Sequence, residues 1–99
     1  MKLSKELSRR RWRELRNAVN AWDPVGLIGL GAPADEYECL VDPLMRMLEN
    51  GSRPDEIVSY LDQHIPDHFG VSIPVGAQEF TNGIVNWFEK WKVTIDTTT

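Results

Sequence analysis

An all-α fold, a compact single-domain bundle of about four helices, is what this sequence predicts. Apolar residues recur at helical spacing in four segments, no two runs of alternating polarity are available to pair as a sheet, and 99 residues suffice for one core but not two. Four Trp, three Phe and two Tyr supply the bulk that a small core needs. The domain is drawn as residues 1–94, with 95–99 as a flexible tail.

The first helix is predicted over Leu3 to Trp22. Leu3, Leu7, Trp12, Leu15, Val19 and Trp22 fall on one broad side, and Arg9, Arg10, Arg13 and Arg16 on the other. Pro24 disfavours helical geometry at Asp23 and stops the helix. A Gly- and Pro-punctuated apolar loop follows. The second helix is predicted to begin near Pro33, with Asp35 and Glu36 complementing the positive end of its dipole. Tyr37, Leu40, Val41, Leu44 and Leu48 form its stripe, and Asn50-Gly51 ends it. Pro43 either kinks this helix or, with Asp42 as cap, starts a new one; the kink is the preferred reading.

Ser52 with Asp55 resembles a capping box, and Pro54 suits the first turn of a third helix. Its stripe is Ile57, Val58, Leu61 and Ile65, and Pro66 then Gly70 terminate it. Residues 71–75 are a connection. The fourth helix carries Phe80, Ile84, Trp87, Phe88 and Trp91 at unbroken helical spacing, and frays after Val93. The predicted core comprises Trp12, Leu15, Val19, Trp22, Tyr37, Leu40, Leu44, Leu61, Phe80, Ile84, Trp87 and Phe88.

The net charge of −4 conceals an asymmetry. Residues 1–16 hold seven basic and two acidic side chains, a local +5, whereas the rest carries four basic and thirteen acidic, or −9. The simplest consequence is a first helix that docks electrostatically on its own domain. The most apolar stretch, residues 25–31, is too short to span a bilayer, and no signal-peptide pattern is present. One cysteine, Cys39, cannot form an internal disulfide, which suits a reducing cytoplasm. A cytoplasmic monomer or dimer with no membrane association and no cofactor is expected.

Each candidate for chemistry has a plain structural competitor. His64 and His68 have zinc-ligand spacing, but Pro66 between them should break the helix on which the geometry depends, so no metal site is predicted. Asp23, Asp35, Glu36, Glu38 and Asp42 crowd one loop and helix start, where capping and dipole account for acids without invoking acid–base catalysis. Cys39 has no histidine partner in the sequence and is read as a buried, inert thiol. The arginine face, Arg9, Arg10, Arg13 and Arg16, is the strongest functional patch and has the charge to follow phosphates, although no nucleic-acid recognition motif accompanies it. Lys90 and Lys92 beside Trp87 and Trp91 would suit base stacking, were those tryptophans not on the core stripe.

Trp22-Asp23-Pro24-Val25-Gly26, Asp35-Glu36-Tyr37-Glu38-Cys39, Leu48-Glu49-Asn50-Gly51 and His68-Phe69-Gly70 give the chain a resemblance over about residues 17–92. It resembles small bacterial proteins of the YugE type, in which a WDP-x-G turn precedes a DEY helix start. That resemblance implies a bacterial helical fold and carries over no catalytic residue. Physically, Trp22, Asp23, Pro24 and Tyr37 read as a fold-defining corner, with Tyr37 packed on the tryptophan and its hydroxyl reaching loop backbone.

The functional expectation is a non-catalytic protein-binding module, of the kind by which an immunity protein neutralises a toxin. Its partner would meet Asp35, Glu36, Glu38 and Asp42 or Arg9, Arg10, Arg13 and Arg16. The alternatives are nucleic-acid binding through the arginine face and a small enzyme with an acidic site near the Gly-rich loop.

Overall fold

A computed structural model describes residues 4–26, 29–31, 36–70 and 74–97, the last five by helical backbone alone. Four helices account for most of them: α1 (Lys5–Trp22), α2 (Glu38–Glu49), α3 (Pro54–Phe69) and α4 (Ala77–Thr97). No strand occurs among the described residues. The all-α four-helix architecture is the one that apolar spacing predicts.

Local chemistry sets the ends of the helices. Ser4 caps α1, its Oγ accepting from the Leu7 N–H at 3.1 Å. At the other end Asp23 adopts a left-handed conformation (φ 48°) and donates its own N–H to the Val19 carbonyl. The Gly26 N–H then bonds to the Asp23 carbonyl at 3.0 Å, closing a β-turn with Pro24 at its second position, where the fixed φ of proline fits. The expected start of α2 near Pro33 and the residue Asp35 lie outside the described residues; the helix itself begins at Glu38 after Tyr37.

Two expectations need correction. The N-terminus of α3 is one residue later than the Ser52/Asp55 pattern suggested: Arg53 occupies the cap position, and its N–H donates to the Glu56 carboxylate at 2.8 Å. Pro66 does not end α3. The helix passes through it to Phe69 and stops at Gly70, a left-handed residue (φ 66°) whose N–H bonds to the Pro66 carbonyl. Proline at this position removes the donor to the Asp62 carbonyl and crowds the preceding turn, a cost that α3 bears without ending there. Pro43 is likewise accommodated inside a single α2. The backbone of α4 is helical to Thr97, past the boundary drawn at residue 94.

The helices form a flat body of 44 × 28 × 17 Å. α1 runs antiparallel to both α2 and α4, as its cross-helix pairs show: Trp12 with Asp42, Arg16 with Glu38, Trp22 with Phe80 and Glu14 with Trp87. α3 packs against α4. Leu15, Val19, Tyr37, Leu40, Leu44, Leu61, Ile84 and Phe88 are buried as predicted, joined by Val41, Met45, Leu48, Ile57 and Ile65. Trp12, Trp22, Phe80 and Trp87 are only half-buried, packed at the margin of this core. Among the described residues no helix is long and apolar enough to cross a membrane.

Candidate functional site: the outward face of the first helix

The five arginines of α1 divide into those bound by the domain and those left outside it. Arg11 bonds to Glu49 at 2.5 Å, and its guanidinium lies over the Phe88 ring, 5.3 Å from the centroid. Arg16 approaches Glu38 at 3.8 Å and lies over the Trp12 ring. Arg10 pairs with Glu14 one turn on, at 3.2 Å. α1 therefore docks on its own domain electrostatically, as the charge asymmetry suggested. Arg9 and Arg13 are exposed and make no ion pair among the described residues.

The four arginines do not form one row. Arg9, Arg13 and Arg16 line, with Trp12 and Glu6, an open cleft of about 540 Å³. Arg10 belongs to the opposite flank, where Leu7, Glu14, Trp87, Lys90 and Trp91 complete a second groove of about 310 Å³ between α1 and α4. Each groove has a tryptophan whose indole N–H is already committed. Trp12 donates to the Asp42 carboxylate at 2.8 Å, and Trp87 and Trp91 donate to the same oxygen of Glu14 at 2.8 and 3.0 Å. These bonds hold the rings in place without covering them.

Glu14 is the residue that sequence reasoning missed. Burial by itself raises its pKa, yet the bonds from Trp87, Trp91 and Arg10 outweigh burial and leave the carboxyl below its ordinary value of 4.5. The only signal was an acid one turn after Arg10, opposite two tryptophans themselves one turn apart.

The predicted acidic site is largely occupied by the domain itself. Glu38 faces Arg16, and Asp42 holds Trp12. Glu36 is exposed in the turn before α2, and Asp35 lies outside the described residues. The Asp23 carboxylate accepts from the Tyr37 hydroxyl at 2.6 Å and from the Gly29 N–H at 2.9 Å, while that hydroxyl accepts from the Val25 N–H at 3.1 Å. The corner is as expected in its hydroxyl-to-loop bond but not in its ring packing. Tyr37 meets Phe69 edge-on at 5.7 Å, and Trp22 instead stacks on Phe80 at 4.3 Å and donates to the Val75 carbonyl.

Two further expectations change. Cys39 is exposed, not buried. Partial desolvation of its sulfur and the nearby Glu36 charge push the thiol pKa up against a backbone hydrogen bond, which is the wrong direction for a nucleophile. Because α3 continues through Pro66, His64 and His68 remain on one face, their rings stacked 5.3 Å apart with Tyr60 against His64. Among the described residues no group of three or more His, Cys, Asp or Glu side chains is placed to hold a metal ion.

The fold and its surface define a small all-α domain whose most distinctive feature is a helix ridge with arginines on it and tryptophans along both flanks. No family model matches the chain, and no curated protein or solved structure matches it either.

Proposed function

We propose that the chain is a non-catalytic protein-binding module whose contact face is the outward side of α1. The observation that supports this most is the division of the arginines. The domain uses Arg10, Arg11 and Arg16 for itself and leaves Arg9 and Arg13 exposed beside a tryptophan already fixed by a hydrogen bond. Tryptophan and arginine are the residues that most often dominate binding energy at protein interfaces, and a pinned ring loses little freedom on association. The complementary partner is acidic. In this reading the basic face replaces Glu38 and Asp42 as the contact surface, because those acids already serve α1. A bacterial, cytoplasmic setting is part of the proposal, carried by the resemblance to YugE-type proteins and by the lone cysteine.

Nucleic-acid binding is less well supported, because following phosphates calls for a continuous basic row and α1 divides its arginines between two flanks. The enzyme reading lacks a nucleophile, base and stabiliser brought together among the described residues. The test is affinity capture from native cells with the parent chain and with Arg9→Glu/Arg13→Glu. A partner recovered at low salt by the parent, diminished at high salt and lost in the double variant with unchanged melting supports the proposal. Equal recovery by both chains removes α1 from it.

A further inference from the structure

Asn50-Gly51 ends α2, and the same dipeptide recurs as Asn82-Gly83 inside α4, so the fold sets one chemistry in two environments. That chemistry is intramolecular. The backbone nitrogen that follows an asparagine can attack the side-chain amide carbon, and glycine, lacking Cβ, hinders the approach least. Little opposes it at Asn50. Asn50 and Gly51 are both exposed, open space lies where a Gly51 side chain would stand, and the Asn50 amide has no bonding partner among the described residues. The chain leaves α2 there by a Schellman turn, with Gly51 left-handed (φ 74°). The Ser52 N–H donates to the Met47 carbonyl at 2.9 Å and the Gly51 N–H to the Leu48 carbonyl at 3.2 Å. Helix ends fray before helix interiors open. Once the Gly51 bond opens, rotation about the Asn50 ψ, −3° in the structure, turns the nitrogen toward the amide carbon. Asn82 is held instead. The Gly83 nitrogen lies within the hydrogen-bond ladder of α4, and Asn82 Oδ1 accepts from Gln78 Nε2 at 3.1 Å.

We propose that Asn50 is a spontaneous modification site of the folded chain, converted through a cyclic imide to aspartate and isoaspartate, while Asn82 is spared. The Gly51 nitrogen, its proton taken by base, bonds to the Asn50 amide carbon; the bond from that carbon to the amide nitrogen breaks and ammonia leaves. Water then opens the imide. Cleavage at the side-chain carbonyl leaves aspartate, and cleavage at the backbone carbonyl leaves isoaspartate, with the main chain rerouted through the former side chain. One water enters, one ammonia departs, and nothing is oxidised or reduced. Either product sets a new carboxylate at the negative end of the α2 dipole, and isoaspartate also lengthens the main chain inside the Schellman turn. Glu49, the adjacent residue, carries the bond to Arg11 of α1, so the tie between α1 and α2 loosens in the modified chain. This inference depends on nothing in the protein-binding reading.

The full chain is incubated at neutral and alkaline pH, folded and in urea. The peptides containing Asn50 and Asn82 are followed by mass spectrometry with fragmentation that separates isoaspartate from aspartate. In the folded chain Asn50 should convert roughly tenfold faster than Asn82 or more, yield isoaspartate, and convert faster at alkaline pH. In urea the two should convert at similar rates, because the dipeptide is the same. No conversion of Asn50 in the folded chain, equal rates at the two sites when folded, or aspartate without isoaspartate overturns the proposal. Asn50→Gln keeps an amide at this exposed position but lengthens its arm, and should stay unmodified under the same conditions. The modified fraction, separable by its added negative charge, should melt below both the fresh parent and Asn50→Gln kept alongside it. Equal melting would contradict the loosening of α1 from α2.

Discussion

Three donors on two helices converge on the Glu14 carboxylate and tie α1 to α4. Its folded-state pKa lies below the ordinary value, because hydrogen bonds to the charged form outweigh burial. A depressed carboxylate contributes stability that is complete above the unfolded pKa and is lost as pH falls through the folded one. Glu14→Gln should therefore melt lower than the parent at neutral pH, with the gap narrowing as pH falls below the ordinary carboxylate range, a difference that paired thermal melts would measure. At the corner, Tyr37→Phe deletes the hydroxyl of a fully buried side chain, which both donates to Asp23 and accepts from Val25. Its cost is about 1–3 kcal/mol, measurable by urea unfolding. The Tyr37 hydroxyl was legible in the sequence because Asp-Pro-Val-Gly announces a turn that needs a partner. Glu14 was not, because nothing along the chain states which residues of α4 come to face it.

Among the elements, spacing predicted four helices and most of their core stripes, since period and composition survive without tertiary knowledge. Phe88 lies on the unbroken stripe of α4 and is 4% exposed, so Phe88→Ala should cost about 3–5 kcal/mol in chemical denaturation. The boundaries are less legible where a proline reads as a stop. Pro66 lies inside α3, close enough to Gly70 that the true terminator is the left-handed glycine. Pro66→Ala restores a backbone donor to the helix and should raise stability by about 1 kcal/mol or more, whereas a fall would show that the surrounding packing depends on the ring. The α1–α2 seam carries another consequence. Asp42 holds the Trp12 indole, so Asp42→Lys should lower stability by about 0.5–1.5 kcal/mol.

At the scale of the whole molecule, the charge asymmetry was visible in the sequence but its allocation was not. Which arginines the domain consumes depends on the rotation of α1 against α2 and α4, and that rotation places Arg10 on one flank and Arg9, Arg13 and Arg16 on the other. Trp12 and Trp87, expected to be core, stand at its margin for the same reason. The outcome is a flat domain with one basic, tryptophan-flanked ridge on an otherwise acidic body. Such a surface favours fast, salt-sensitive association with an acidic partner. The most direct measurement is photo-crosslinking in native cells, with a photoreactive residue at Arg13 in one chain and at Gln63, exposed on α3, in another. The account predicts one reproducible protein adduct from position 13, absent at position 63 and suppressed by Arg9→Glu. Adducts of equal yield from both positions, or from position 63 alone, would contradict it.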